Sequence, residues 1–279
     1  MRYPNENKPL ICRNGGGGSI ALPGGATILN HGRSGAPGAP REKLPHNDAQ
    51  WREVPSGNRM TTTTLQDQLD EITANTRQLV QAERLAIGEQ AVAELFASGI
   101  EDKILPVGAM APQFALKDAT GRLVRSSDLL ALGPLVIKFF RGRWCSYCVT
   151  ELEAWRDLYG TLRERDGLMV AIGPQIERQS DFMAGQHGLP FPVLHDPGCM
   201  LAEKFGLVYT VPEYHQHYYR SILVNIPFVN GEPSWRLPIP ATYVIAKDRK
   251  VLFAEAHADF RVRPEPEEAL AATFAHHNR

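Results

Sequence analysis

Residues 136–155, VIKFFRGRWCSYCVTELEAW, restrict the possible folds more than any other stretch of the chain. The apolar run at 134–140, PLVIKFF, predicts a strand buried on both faces. Residues 146–165 then place Leu152, Trp155, Leu158 and Leu162 on one helical face. A C-x-x-C pair, Cys145 and Cys148, stands at the junction. A buried strand passing directly into an amphipathic helix calls for neighbouring strands and for cover on both faces of a sheet.

The following sequence repeats that alternation. Residues 168–174, LMVAIGP, and 191–196, FPVLHD, are strand-like, and 175–188, QIERQSDFMAGQHG, predicts a helix closed by Gly188. A short helix is expected around CMLAEKFG. ATYVIAKDRKVLFAEAH predicts a hairpin about KDRK. EPEEALAATFAHH predicts a last helix with acids first and histidines last, the order the helix dipole favours. Residues 208–237 hold aromatics and prolines without a sustained period, so an insertion with at most a short helix is expected there. The sum is a largely parallel sheet with helices on both faces, ending in an antiparallel hairpin.

Upstream the character changes at Met60. Residues 1–59 are rich in Gly, Pro, Asn and Arg and offer no periodic apolar face, so a low-complexity, disordered tail is expected. From residue 60 to 104, Leu65, Leu69, Ile72, Leu79, Leu85, Val92, Leu95 and Phe96 recur at helical spacings, with the threonines of MTTTT as candidate N-caps. Met60 at this boundary is a candidate natural start. Intact-mass analysis of native protein showing an N-terminus near Met1 would contradict that.

The C-x-x-C carries the chemistry. A strand that delivers Cys145 to a helix mouth sets its sulfur beside unpaired N–H groups and the positive end of the dipole, which favours a thiolate. Cys148, one turn on, can meet it in a disulfide. Arg141 and Arg143 are neighbours able to add positive potential, and Trp144 and Tyr147 are expected to shield one side, leaving the leading sulfur more accessible. A zinc site would need ligands beyond this pair. Cys12 lies in the tail, and His215 and His217 read as ordinary polar loop groups or as candidates to join such a site. Cys199 is either a buried small apolar residue or an extra thiol. Pro240 precedes a strand, where it cannot donate to a ladder. It is either a simple strand-start proline or a cis Ile239–Pro240 peptide packed against the pair.

Composition narrows the partners. With 30 basic and 31 acidic residues the net charge is −1, which leaves no electrostatic footprint for nucleic acid or an anionic membrane. The apolar runs stop well short of the roughly 20 residues of a membrane span. Four cysteines are too few for a disulfide scaffold, and the first residues lack the order of a signal peptide, so a reducing, cytoplasmic setting is expected.

Five ordered blocks together resemble a known family: VGAMAPQFALKDATGRLV, KFFRGRWCSYCVTELEAW, FPVLHDPG, KFGLVYTVPE and SWRLPIPATYVIAKDRKVLFAEA. They are similar to the thioredoxin fold and, more narrowly, to the peroxiredoxin-like branch of the alkyl hydroperoxide reductase C and thiol-specific antioxidant family. The resemblance runs from about Leu65 to the last helix. It implies a thioredoxin-like three-layer α/β/α sandwich over 105–279 with an added N-terminal helical segment. It also implies a thiol-dependent peroxidase acting on hydrogen peroxide or organic hydroperoxides, recycled by a thioredoxin-type dithiol, with no metal or organic cofactor and with room for a homodimer. The match departs from the family at the site. Laid on the motif Pro-x-x-x-Thr-x-x-Cys, Arg141 takes the proline, Cys145 the threonine and Cys148 the peroxidatic cysteine, while Pro240 replaces the arginine before the later strand. Thioredoxin logic instead makes Cys145 the nucleophile, and helix-terminal stabilisation favours that assignment. The alternatives are a dithiol:disulfide oxidoreductase acting on protein disulfides and a redox-sensing module that binds partners through the aromatic insertion.

Overall fold

Two helices begin the structure, a computed structural model that describes residues 63–275. The tail expected over 1–59, Cys12, Met60 and the terminal histidines lie outside the described residues. Helix α1 (Leu65–Leu79) starts at Thr64, whose hydroxyl accepts from the Asp67 N–H while the Asp67 carboxylate accepts from the Thr64 N–H. Helix α2 (Ala82–Ala97) follows. Leu65 and Leu69 are buried, whereas Leu79 and Phe96 are exposed, so the apolar stripe read from the sequence is only partly used. Strands β1 (Ala115–Asp118) and β2 (Leu123–Arg125) and helix α3 (Ser126–Leu132) lead to β3 (Leu135–Phe139), α4 (Ser146–Arg163), β4 (Leu168–Gly173), α5 (Glu177–His187) and β5 (Val193–His195). Then come α6 (Met200–Lys204), β6 (Val208–Thr210), α7 (Glu213–Ser221), α8 (Ile226–Asn230), β7 (Arg236–Pro238), β8 (Ala241–Ile245), β9 (Val251–Ala256) and α9 (Pro266–Ala275).

Seven strands form one sheet in the order β2-β1-β5-β4-β3-β8-β9. Only β3–β4 and β4–β5 pair in parallel, and the other four pairings are antiparallel. The sheet is therefore mixed, which corrects the expectation of a largely parallel one. The β8–β9 hairpin joins against β3 on one side, and the β1–β2 hairpin joins against β5 on the other. That second hairpin is almost invisible as an apolar pattern because most of its side chains are exposed. Its turn is made by Asp118, whose carboxylate accepts from the Thr120 and Arg122 N–H groups.

Period-2 alternation divides the core between the two faces of the sheet. On one face Leu135, Ile137, Phe139, Tyr243 and Ile245 meet α3 and α6. On the other, Val136, Phe140, Met169, Ala171 and Val244 meet α4, α5 and α9, with α1 packed outside α4. The unit β3-α4-β4, followed by β8-β9-α9 around the strands β4-β3-β8-β9, is the thioredoxin-like α/β/α sandwich expected from the sequence.

The insertion is more ordered than its sequence suggests. Strands β6 and β7 pair antiparallel at its base, and α7 and α8 fold between them over a small core of Val211, Tyr219, Ile226, Trp235 and Leu237. Its aromatics serve two packing surfaces at once, which obscures any single period. No described helix is long and apolar enough to cross a membrane.

Trp155 is buried on α4 between the sheet and the outer helices. Replacing it with alanine is expected to cost about 3–5 kcal/mol, read as a lower midpoint in urea unfolding.

Candidate active site

Gly142 opens the loop between β3 and α4 with φ +151°. A Cβ there would lie 2.4 Å from Trp144 Nε1, so a side chain at 142 would displace the indole. Trp144 packs edge-on against Tyr219 at 5.2 Å between ring centroids. Cys145 is the N-cap of α4, and its own N–H donates to the Gly142 carbonyl at 3.1 Å. The sulfur therefore faces the positive end of the helix. Cys148 follows one turn later, and both thiols are free. Cys145 is 4% exposed and Cys148 fully buried, so the leading sulfur is the more accessible by a small margin only.

Charge around the pair is arranged by burial. Lys138 on β3 and Thr242 on β8 are cross-strand partners and point to the same face as α4. Lys138 Nζ lies 2.5 Å from Glu151 Oε1 and 3.1 Å from Thr242 Oγ1. From the segment between β9 and α9, Arg263 Nε donates to Glu151 Oε2 at 2.8 Å, and its Nη2 reaches Cys148 Sγ at 3.8 Å. Arg141 is buried above the pair. Its guanidinium stacks on Phe260 at 4.3 Å and on Trp144 at 4.9 Å and donates to the Tyr219 hydroxyl.

These surroundings separate the two thiols. Burial works against a Cys145 thiolate, but the Cys148 thiol, the charges of Arg141 and Arg263 and the Cys148 N–H outweigh it and bring the Cys145 pKa down to about 6. Burial, then the hydrogen bond to Cys145 and the Cys145 charge, hold Cys148 far above the ordinary thiol range. Burial and the nearby Arg141 charge lower His215 to about 4, so it is a neutral wall at pH 7.

A cavity of about 190 Å³ opens onto Cys145. Its walls include Leu85 and Gly88 of α2, Trp144 and Tyr147, Tyr218 and Tyr219 of α7, and Phe260. A second cavity of about 250 Å³ lies on the other side of Arg141 and shares Arg141, His215 and Phe260 with the first. The roof is fastened by polar contacts. Glu89 of α2 takes a bidentate bond from Arg261, Glu94 of α2 accepts from the Tyr214 hydroxyl, and Thr73 of α1 bonds the Tyr147 hydroxyl.

The residues singled out from the sequence divide into two groups. Arg141, Trp144, Cys145 and Tyr147 converge on the cavity, with Cys148 directly behind. Arg143 does not join them. It is exposed and turned onto α5, where its Nε donates to Gln179 and its guanidinium covers Phe182. Pro240 is buried at the β7–β8 junction and contributes nothing to the cavity wall. No cis peptide occurs among the described residues, so Ile239–Pro240 is trans, and of the two alternatives the strand-start proline holds and the cis one does not. Cys199 lies buried on the opposite face of the sheet, with its thiol directed at the Arg236 carbonyl and its pKa raised first by burial. His215 and His217 sit on α7 rather than in a loop. Among the described residues no cluster of three or more His, Cys, Asp or Glu side chains forms a metal site.

Sequence reasoning missed Lys138, Glu151 and Arg263. A lysine in the middle of a buried strand and a glutamate on the apolar face of α4 were legible signals of a buried pair. Arg263 had no local signal, because only tertiary folding brings it to Cys148.

The chain matches the model of the AhpC/TSA family over residues 107–254. Among curated proteins it is 28% identical over 104 residues to the thiol-disulfide oxidoreductase ResA of Bacillus anthracis, 37% of this chain and 59% of that protein. It is 29% identical over 103 residues to peroxiredoxin Bcp of Bacillus subtilis, 37% of this chain and 65% of that protein. The alignments thus span about three fifths of the length of these relatives. Among solved structures it is similar to peroxidoxin BcpB from Mycobacterium tuberculosis, with 25% identity, TM-score 0.49 and coverage of 61% of this chain and 97% of that one.

The ultraviolet absorbance of the thiolate is expected to titrate with a midpoint near pH 6 in the reduced protein. Arg141→Gln removes one of the stabilising charges and should move that midpoint upward, toward the ordinary cysteine value of about 8.5.

Proposed function

Because the chain belongs to the AhpC/TSA family, we propose that it is a thiol peroxidase in which Cys145 attacks and Cys148 resolves. The observation that carries this reading is a buried, low-pKa Cys145 at the wall of a cavity lined by aromatic and basic side chains, with a second thiol one helical turn away. The Cys145 thiolate attacks one peroxide oxygen and the O–O bond breaks. The released alkoxide takes a proton to leave as the alcohol, and Cys145 becomes a sulfenic acid. Cys148 then attacks that sulfur, and the departing hydroxide takes the Cys148 proton and leaves as water. A thioredoxin-type dithiol returns two electrons to the disulfide.

The burial of Cys145 favours small peroxides over folded proteins. A cavity of about 150 Å³ is enough for benzene, so 190 Å³ has room for a small hydroperoxide. A protein disulfide would have to displace α2 or α7 to reach Cys145. We read 60–104 as a helical cover and 105–279 as the redox domain, in a cytoplasmic protein compatible with a homodimer. A dithiol:disulfide oxidoreductase is the second reading, favoured by Pro240 in the position the peroxidase family gives to arginine. A redox-sensing module is the third, and repeated turnovers with a recycling reductant would count against it.

Steady-state peroxide reduction tests the assignment. Cys145→Ser should abolish turnover, while Cys148→Ser should keep a single fast turnover and lose recycling. Full activity in Cys145→Ser would reverse the roles. Insulin reduction should be weak beside peroxide consumption. The rate of peroxide attack should rise as pH passes upward through about 6, where the Cys145 thiol loses its proton, and then level off.

A further inference from the structure

We infer that Arg263 is a catalytic residue of the dithiol/disulfide pair, a fixed positive charge against Cys148 that stabilises the reduced, thiolate-bearing state over the disulfide. The inference rests on Cys145 and Cys148 acting as a redox pair, as proposed above, but not on peroxide being the oxidant.

The argument is one of charge. Around the two sulfurs stand two buried guanidinium cations, Arg141 from the loop before α4 and Arg263 from the segment after β9, the buried Lys138 of β3, whose charge burial disfavours, and one buried carboxylate, Glu151 from α4. Glu151 is shared, since Lys138 takes Oε1 and Arg263 takes Oε2. Arg263 Nε donates to Glu151 and Nη1 to the Val262 carbonyl, and its third nitrogen, Nη2, is directed at the Cys148 sulfur at 3.8 Å. Arg141 has hydroxyl and aromatic partners but no carboxylate among its described contacts. The site therefore carries excess positive charge that one thiolate in the reduced pair offsets. Closing the disulfide removes the Cys145 thiolate, and with it the negative charge that the buried Arg141 and Arg263 offset, so both cations favour the reduced pair.

Arg263 also has a kinetic task. Once Cys145 has become a neutral sulfenic acid, its negative charge no longer opposes ionisation of Cys148, and Arg263 is the cation in contact with the Cys148 sulfur. It favours the developing thiolate as Cys148 attacks the Cys145 sulfur, with hydroxide leaving and the thiol proton ending in water. Arg263 lies beyond the matched family segment, which ends at residue 254.

The test is the equilibrium of the purified full-length protein with a dithiothreitol redox buffer at pH 7, read by thiol alkylation. Arg263→Gln should favour the disulfide by roughly tenfold in the equilibrium constant, a potential lower by about 30 mV. Arg263→Lys keeps the charge and should stay within about threefold of wild type. Arg263→Met, which preserves the stem, serves as the second neutral variant and carries the same prediction if the glutamine variant does not fold. A wild-type potential in either folded neutral variant would overturn the inference, as would an equal displacement in the lysine variant. Peroxide consumption by the wild type is assayed beside it. Its absence would remove the peroxidase reading while the dithiothreitol equilibrium still decides the role of Arg263.

Discussion

The site depends on one buried carboxylate. Glu151 joins β3 through Lys138 and the segment after β9 through Arg263, at 2.5 and 2.8 Å, with Thr242 of β8 bonded to Lys138. Taking such charges out of water costs several kcal/mol per ion, and only close pairing with satisfied hydrogen bonds offsets it. That requirement fixes the position of α4 on the sheet, and α4 carries both cysteines. Losing Glu151 would leave Lys138 and Arg263 without their carboxylate, and an unpaired buried charge typically costs about 3–5 kcal/mol. The same ions that hold the helix in place thus determine the electrostatic field at the sulfurs.

A second constraint is cover. The C-x-x-C stands at the end of a helix, a position that would be open to solvent in a bare sandwich. Here α1, α2 and the α7 insertion flank it, with the segment 258–265 bonded to α1 and α2 and Tyr214 of α7 bonded to α2. Phe260 packs on Arg141 and Tyr147, Arg261 holds Glu89, Arg263 meets Glu151, and Glu265 accepts from the Leu65 and Gln66 N–H groups at the start of α1. The segment 258–265 thereby supplies part of the cavity wall, through Phe260 and Arg261, and the Arg263 charge beside Cys148.

Much of this was legible in the sequence for physical reasons. The strand–C-x-x-C–helix junction, the αL closure at Gly188 and the β8–β9 hairpin follow from local patterns of burial and turn chemistry. The N-terminal helices were legible as helices, but not which face would be used, since Leu79 and Phe96 point outward. The insertion failed as a pattern because its aromatics pack both inward and toward Trp144. The site was half visible. Arg141 and the cysteines are neighbours in sequence, whereas Arg263 and Phe260 arrive from more than a hundred residues away, and Arg143 was misleading because Gln179 and Phe182 draw it aside. The cis alternative for Pro240 rested on its place just before a strand, which a trans proline fills equally well.

The central claim is that buried positive charge makes Cys145, rather than Cys148, the attacking thiolate. Rapid quenching of reduced wild-type protein with one equivalent of organic hydroperoxide in the presence of dimedone, followed by peptide mass spectrometry, tests it most directly. The account predicts the sulfenic acid adduct on Cys145. An adduct confined to Cys148 would contradict it.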